Sequence, residues 1–157
     1  MNHLPRIFIY PGKLYATKLN YNLSTILGSC VAVCLWDKKL HIGGMNHYML
    51  PLWNGKGLAS PKYGNIAIEK LINKMKYLGS SKEDLVAKLF GGGRIINSSH
   101  ENIGIGDRNV EIALEILDRE GIKITGRSTG GERGRKIMLI THTFDVYHKF
   151  IEKTISV

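Results

Sequence analysis

Residues 31–36 form a short apolar run, Val-Ala-Val-Cys-Leu-Trp, between Gly28 and Asp37. The run contains β-branched and aromatic side chains and is too short for a typical helix, so it predicts a buried strand. Residues 37–40 are polar and compact enough for a turn. Residues 40–50 then predict a second strand that returns beside the first, and the rest of the fold is expected to build on this hairpin.

The register of this hairpin decides which side chains meet. If residues 38 and 39 form a two-residue loop, the numbers of paired residues sum to 77, and a four-residue loop about the same centre gives the same sum. Cys30 then lies opposite His47. Opposed residues have Cβ atoms about 4.5–5.5 Å apart on one face, where a thiol and an imidazole can act as nucleophile and base. Lys-Lys is not a favoured hairpin turn, and a bulge at Gly43 and Gly44 would turn His47 to the other face. A free cysteine is also often a small buried hydrophobe, so local pattern leaves both interpretations open.

Glycines are expected to lie near the candidate nucleophile in the folded chain. Gly28 and Ser29 allow a tight approach before the strand, which leaves peptide N–H groups near Cys30 free to bind a substrate oxygen. Gly91 and Gly92 end a second predicted buried strand, and no phosphate-binding motif follows them. We predict that these two glycines approach the backbone beside the same site.

The length of the chain and its two cysteines limit the classes of protein to which it can belong. The 157 residues fit one domain over residues 1–157 with a sizeable core. No apolar run approaches the ~20 residues that span a bilayer, and the N-terminus lacks the apolar region of a signal peptide. The two cysteines are not a disulfide framework, so we expect a cytoplasmic protein without membrane insertion.

The net charge of +9 suits nucleic acid, anionic lipid or an acidic protein partner. The basic residues are spread along the chain, and neither a zinc-finger spacing nor an aromatic–basic RNA-binding pattern is present. An acidic protein partner is therefore favoured over nucleic acid.

Two amphipathic stretches predict helices between the strands. The first has Leu71 and Met75 at helical spacing and stops at Gly79, and the second has an apolar stripe within residues 110–117 and stops at Gly121. Short strands before, between and after two helices indicate the α+β class.

Two segments of the hairpin together resemble a known signature. Residues 27–35, Leu-Gly-Ser-Cys-Val-Ala-Val-Cys-Leu, and residues 43–51, Gly-Gly-Met-Asn-His-Tyr-Met-Leu-Pro, resemble the CheD-type chemoreceptor glutamine deamidases. Further matches, such as Ile-Gly-Asp-Arg-Asn at residues 105–109, continue to about residue 137. The resemblance thus covers most of the chain.

The resemblance implies a fold and a reaction. The fold would be a sandwich-like β core with helices packed on one side, similar to the catalytic domain of cytotoxic necrotizing factor toxins. Cys30 would attack glutamine side chains on the cytoplasmic helices of methyl-accepting chemotaxis receptors, and His47 would act as the base, without a metal or organic cofactor. A CheC-type phosphatase would be a second partner.

The family's third catalytic group is a threonine six residues before the cysteine, and this chain has Ser24 at that position and Thr25 beside it. Residues 24 and 30 also have the same parity, so an unbroken strand would put Ser24 on the face of Cys30. We therefore predict that Ser24 orients His47, with Thr25 as the alternative.

The two cysteines are expected to differ. Cys34 should be buried and inert, whereas His47 and nearby N–H groups should depress the pKa of Cys30.

Two other functions stay open. One is a non-catalytic adaptor that binds receptors or the phosphatase and does not need Cys30, and the other is another Cys-dependent amide hydrolase.

Overall fold

The computed structural model describes residues 3–95 and 104–152. Within these residues nine strands form two mixed sheets, and two long helices cover one side. The strands are β1 (Arg6–Phe8), β2 (Leu14–Thr17), β3 (Asn22–Leu27), β4 (Val31–Asp37), β5 (Gly43–Asn46), β6 (Leu85–Gly91), β7 (Lys123–Thr129), β8 (Arg135–Ile140) and β9 (Val146–Phe150). The helices are α1 (Gly64–Tyr77) and α2 (Ile105–Arg119), and a short 3₁₀ turn at Lys82–Asp84 precedes β6.

The elements form three layers. A four-stranded sheet has the order β1-β3-β8-β9, and a five-stranded sheet has the order β2-β5-β4-β6-β7. Both helices contact the five-stranded sheet, on the side away from the other sheet. The predicted α+β class, with a sandwich-like β core and helices on one side, is confirmed.

Strand β4 is the centre of the molecule because both of its faces are covered. Val31, Val33 and Leu35 belong to the core between the five-stranded sheet and the helices. Ala32 and Cys34 belong to the core between the two sheets. This double burial explains why the strand is a continuous apolar run rather than an alternating one.

The two predicted helices are present. Leu71 and Met75 are fully buried on α1, and Ala113 and Leu117 are fully buried on α2. Just beyond each helix lies a glycine of positive φ, Gly79 at 113° and Gly121 at 70°, a conformation that suits a residue without a Cβ atom.

The predicted hairpin register is wrong by two residues. The observed pairs, such as Cys34 with Met45, sum to 79, because the loop contains residues 38–41 and its centre lies one residue later than predicted. The Asp37 carboxylate shapes this loop by accepting the backbone N–H groups of Lys39 and Leu40 at 2.8 and 2.9 Å. His47 therefore does not lie directly opposite Cys30. An even shift keeps each side chain on its predicted face, since side chains alternate with a period of two.

Candidate active site

Cys30 lies where the chain passes from one sheet to the other. Strand β3 belongs to the four-stranded sheet and β4 to the five-stranded sheet, so residues 28–30 make the crossing. Cys30 is half-buried at the start of β4, while Cys34 is fully buried four residues further on. The predicted contrast in burial between the two cysteines is confirmed.

The glycine segment at the end of β6, residues 91–93, holds this crossing in place. The backbone N–H groups of Gly92 and Gly93 donate to the carbonyl oxygens of Cys30 and Gly28, both at 2.9 Å. Gly91 has a φ of 106°, and a Cβ atom there would collide with the Cys30 carbonyl oxygen. The structure thus brings Gly28, Gly91 and Gly92 against Cys30.

His47 follows β5 and has only 2% of its surface exposed. Its Nδ1 lies 2.8 Å from the Thr25 hydroxyl oxygen and 3.2 Å from the Ile9 carbonyl oxygen. The Thr25 hydroxyl donates its single proton to Ile9 at 2.6 Å. Nδ1 must therefore carry the hydrogen and donate it to Thr25, which leaves Nε2 with a lone pair.

Nε2 of His47 is buried and has no hydrogen-bond partner among the residues that the structure describes. Val31 and Tyr48 exchange two backbone hydrogen bonds, of 3.0 and 2.9 Å, directly after Cys30 and His47. On this register Cys30 and His47 are diagonal neighbours on one face, a spacing of about 7–8 Å that is somewhat shorter between Cβ atoms. Both side chains face the space between the sheets, Cys30 against the apolar core there and His47 against Thr25 of β3.

The predicted contact between Ser24 and His47 is wrong, because Thr25 makes it. The parity argument assumed one unbroken strand, but β3 ends at Leu27 and the chain then changes sheets. On β3 the inward face carries the buried residues Leu23, Thr25 and Leu27, whereas Ser24 is half-buried. Leu23 and Leu27 are apolar and lie two residues before and after Thr25, so strand periodicity places Thr25 on the same inward face. This pattern was the signal that could have identified Thr25.

Burial determines the resting charge of the pair. It raises the pKa of the Cys30 thiol, and the hydrogen bond from the cysteine's own backbone N–H offsets this only in part. Burial also lowers the pKa of His47, against a smaller opposing effect of the Ile9 carbonyl. The expected depressed pKa of Cys30 is therefore wrong: the structure favours a neutral thiol beside a neutral imidazole, since desolvation penalises both charged forms.

Asn109 of α2 is a site residue to which the sequence assigned no role. Its side-chain Nδ2 donates to the carbonyl oxygens of Ser29 and Met49, each at 3.0 Å. Its side chain thereby joins the two segments that carry Cys30 and His47. No local pattern predicts this contact, because the two acceptors are backbone groups distant in sequence.

The described part of the chain contains no cluster of three or more His, Cys, Asp or Glu side chains arranged to hold a metal ion. It also contains no helix that is long and apolar enough to cross a bilayer.

Comparison with known proteins identifies relatives of this chain. The family described as "CheD chemotactic sensory transduction" matches residues 49–150. A protein of Sulfurimonas denitrificans, named a probable chemoreceptor glutamine deamidase CheD, is 49% identical over 94% of this chain and 95% of its own length. A protein of Trichlorobacter lovleyi with the same name is 47% identical, over 88% of this chain and 86% of its own length. Among solved structures, the hypothetical protein YfiH of Bacillus licheniformis is a weak match, with a TM-score of 0.45 and 16% identity over 73% of this chain and 49% of that chain.

Proposed function

We propose that this chain, which belongs to the CheD family, hydrolyses glutamine side chains of chemoreceptors to glutamate. In this proposal Cys30 is the nucleophile and His47 is the base. Relatives that match most of this chain are named for that reaction. The function is thus inferred from relatives, and the roles of Cys30 and His47 are inferred from the geometry of this chain.

The hydrogen bonding of the His47 ring is the observation that carries the proposal. Thr25 and Ile9 occupy Nδ1, and the buried Nε2 on the other side of the ring accepts no hydrogen bond from the described residues. A core histidine with only a structural role is expected to have both ring nitrogens satisfied, because an unpaired buried polar atom costs stability. A base that must accept a thiol proton needs its lone pair unoccupied.

The first half of the reaction forms a thioester. The Cys30 thiol gives its proton to Nε2 of His47 as its sulfur bonds to the side-chain amide carbon of the substrate, and the carbonyl electrons move to the oxygen. Thr25 keeps the imidazolium oriented by accepting its Nδ1 hydrogen. The intermediate then collapses, the C–N bond breaks, and Nε2 returns the proton to the departing nitrogen, which leaves as ammonia.

The second half hydrolyses the thioester. Nε2 takes a proton from water as the water oxygen bonds to the thioester carbon, and collapse of this intermediate breaks the C–S bond. The Cys30 sulfur leaves as thiolate and recovers the proton from His47. The net change is amide plus water to carboxylic acid plus ammonia, and the neutral pair is restored.

The wider assignments stay predictions. They are a cytoplasmic location, a single domain over residues 1–157, binding to a CheC-type phosphatase and an influence on chemotaxis signalling through the charge of the receptor. For a chain of charge +9, we expect the bound surface of the receptor to be acidic.

The test uses the purified 157-residue chain and a chemoreceptor cytoplasmic fragment, with ammonia release and mass spectrometry as readouts. We expect about one dalton of added mass for each modified glutamine, with one ammonia released. Cys30→Ala should abolish both signals. The matched variant Cys34→Ala removes an equal side chain from the same strand and should keep them.

Three outcomes would contradict the proposal. Full ammonia release by Cys30→Ala would exclude this mechanism. Binding of the fragment without ammonia release by the unaltered chain would favour the adaptor function. Cleavage of the fragment's backbone would indicate a peptidase.

A further inference from the structure

We infer that Asn109 is a positioning residue of this site, whose side-chain amide aims the backbone N–H of Cys30 at the oxyanion that forms on the substrate. This inference rests on the proposed function, because the oxyanion arises only if Cys30 attacks an amide carbon. It adds the residue that sets the orientation of an oxyanion donor.

The side chain of Asn109 holds two segments of the chain together by hydrogen bonds. The residue is fully buried, and the two hydrogens of its Nδ2 go to two carbonyl oxygens, those of Ser29 and Met49. Ser29 directly precedes Cys30, and Met49 lies two residues after His47. Both hydrogens of one amide group are therefore used to hold the nucleophile segment beside the base segment.

The hydrogen bond from Asn109 to the Ser29 carbonyl fixes the direction of the Cys30 N–H, because both groups belong to one peptide. A trans peptide is planar, and its C=O and N–H bonds point in opposite directions. Asn109 holds the carbonyl oxygen of Ser29, so the N–H of the same peptide, which belongs to Cys30, points away from Asn109.

The preceding peptide is held in the same manner by the glycine segment. Gly93 donates to the Gly28 carbonyl oxygen at 2.9 Å, which turns the Ser29 N–H in the opposite direction. In the part of the chain that the structure describes, neither the Ser29 nor the Cys30 N–H donates to a backbone carbonyl. Two N–H groups next to the sulfur are thus available for an oxyanion.

Asn109 is itself held in place. The Tyr48 hydroxyl donates to the Asn109 backbone carbonyl at 2.5 Å, and the first turn of α2 lies against the glycine segment, because Gly106 leaves no room for a Cβ atom beside the carbonyl of Gly92. An oxygen in place of Nδ2 would face two carbonyl oxygens and repel both. The site therefore requires an amide donor at this position rather than a carboxylate.

The test compares Asn109→Ala and Asn109→Asp with the unaltered chain by three measurements. These are kcat and KM for receptor deamidation, and the rate at which iodoacetamide alkylates Cys30, a reaction that forms no oxyanion. We expect kcat to fall at least about 10-fold, towards the roughly 10²–10³-fold cost of losing an oxyanion donor. KM and the alkylation rate should change less than about threefold.

A matched control separates positioning from packing. Asn22 is also buried, at 2% exposure, but its side chain contacts Met138 away from the site, so Asn22→Ala should keep kcat. If Asn109→Ala does not fold, Tyr48→Phe removes only the hydroxyl that holds the Asn109 backbone and should lower kcat by a few-fold at constant KM.

Unchanged kcat in the variant that folds would overturn the inference. An equal fall of kcat and alkylation rate would also overturn it, since that result indicates a structural role. If the unaltered chain releases no ammonia, the proposed function fails and the inference fails with it. Normal deamidation by the unaltered chain together with normal kcat in the variants would leave the proposed function standing and remove only the role of Asn109.

Discussion

At the scale of single residues, the proton on Nδ1 of His47 decides whether the pair can react. Thr25 has already given its hydroxyl proton to the Ile9 carbonyl, so it can only accept from the ring. This arrangement keeps the lone pair on Nε2, the atom that the proposed mechanism needs in order to accept the Cys30 proton. A hydroxyl of Thr25 that donated to Nδ1 instead would leave the hydrogen on Nε2, where it blocks the base.

We expect Thr25→Val to lower kcat by roughly 10-fold or more, because orientation of a general base contributes to its 10²–10⁴-fold effect. Thr25→Ser retains the hydroxyl and should keep most of the activity. Ser24→Ala is the control from the other face of β3 and should change kcat little. Rates of ammonia release at saturating receptor fragment decide the matter. A large loss in Ser24→Ala beside a fully active Thr25→Val would contradict this assignment.

The pH dependence of activity should reflect the buried imidazole. Burial lowers the pKa of His47 below the ordinary 6.5, so the neutral base persists to more acidic pH than in a free histidine. We therefore expect the acid limb of the profile of kcat/KM against pH to have its midpoint below 6.5. A midpoint above 6.5, measured with a fragment that stays folded over the range, would contradict the lowered pKa.

The same shift predicts a change in stability. Between the folded pKa and the unfolded value of 6.5, the unfolded chain binds a proton on this histidine and the folded chain does not, so the free energy of unfolding rises with pH. Urea unfolding should show stability falling as the pH drops below about 6.5. His148 also has a lowered pKa and contributes in the same direction, so His47→Gln should reduce the fall without removing it. If stability falls equally with pH in His47→Gln and in the unaltered chain, His47 does not contribute to the pH dependence.

At the scale of elements, the glycine segment at the end of β6, residues 91–93, supports the chain where it crosses between the sheets at Cys30. Gly91 and Gly121 both have positive φ, 106° and 70°, but they differ in surroundings. A Cβ atom at Gly91 would collide with the Cys30 carbonyl, whereas a Cβ atom at Gly121 would have nothing within 4 Å. The two positions therefore separate the cost of backbone strain from the cost of a clash at the site.

We expect Gly121→Ala to lower the free energy of unfolding by about 1–2 kcal/mol, the cost of a left-handed conformation for a residue with a Cβ atom, and to keep kcat. Gly91→Ala should lower stability further and also lower kcat, because the crossing must move. Urea unfolding and ammonia release measure the two effects. Equal stability and equal kcat in the two variants would show that the position of Cys30 does not depend on the close approach of Gly91 to its carbonyl group.

Elements also explain the success and the error of the hairpin prediction. The apolar run at residues 31–36 was enough to predict β4, because a strand covered on both faces needs apolar side chains throughout. The register was missed because the Asp37 carboxylate binds two backbone N–H groups and closes a four-residue loop. A side-chain contact of this kind competes with ordinary turn preferences, and its geometry does not follow from the turn sequence alone.

At the scale of the whole molecule, the net charge of +9 bears on how a substrate is approached. The two ion pairs seen among the described residues, Lys82 with Glu120 and Arg94 with Asp107, are at least partly exposed. They neutralise few of the 22 basic side chains. Long-range attraction towards an acidic receptor surface is therefore expected, and salt should weaken it.

We expect KM for the receptor fragment to rise about tenfold between 0.1 M and 1 M NaCl, since the Debye length shortens from about 10 Å to about 3 Å. kcat at saturating fragment should stay within about twofold, because the thiol and the imidazole are both neutral at rest and His47 is buried. Steady-state kinetics at several salt concentrations measure both values. A KM that is independent of salt would argue against charge-guided binding.

The amino-acid sequence alone determined the elements and their faces. The buried strand β4, the two helix stripes and the placement of Cys30 and His47 on one face follow from local periodicity, which reports whether a side chain points inward. The family also followed from the two segments around Cys30 and His47, since that combination of residues is specific.

Only the tertiary structure decided what lies across from each inward side chain. Thr25 reaches His47 from the other sheet, Asn109 reaches Ser29 and Met49 from α2, and burial among these layers raises the pKa of Cys30. The chain changes sheets at residues 28–30, so parity counted along the sequence stops at that point. Periodicity is a property of one element, whereas contacts and desolvation between elements arise from packing that no single segment encodes.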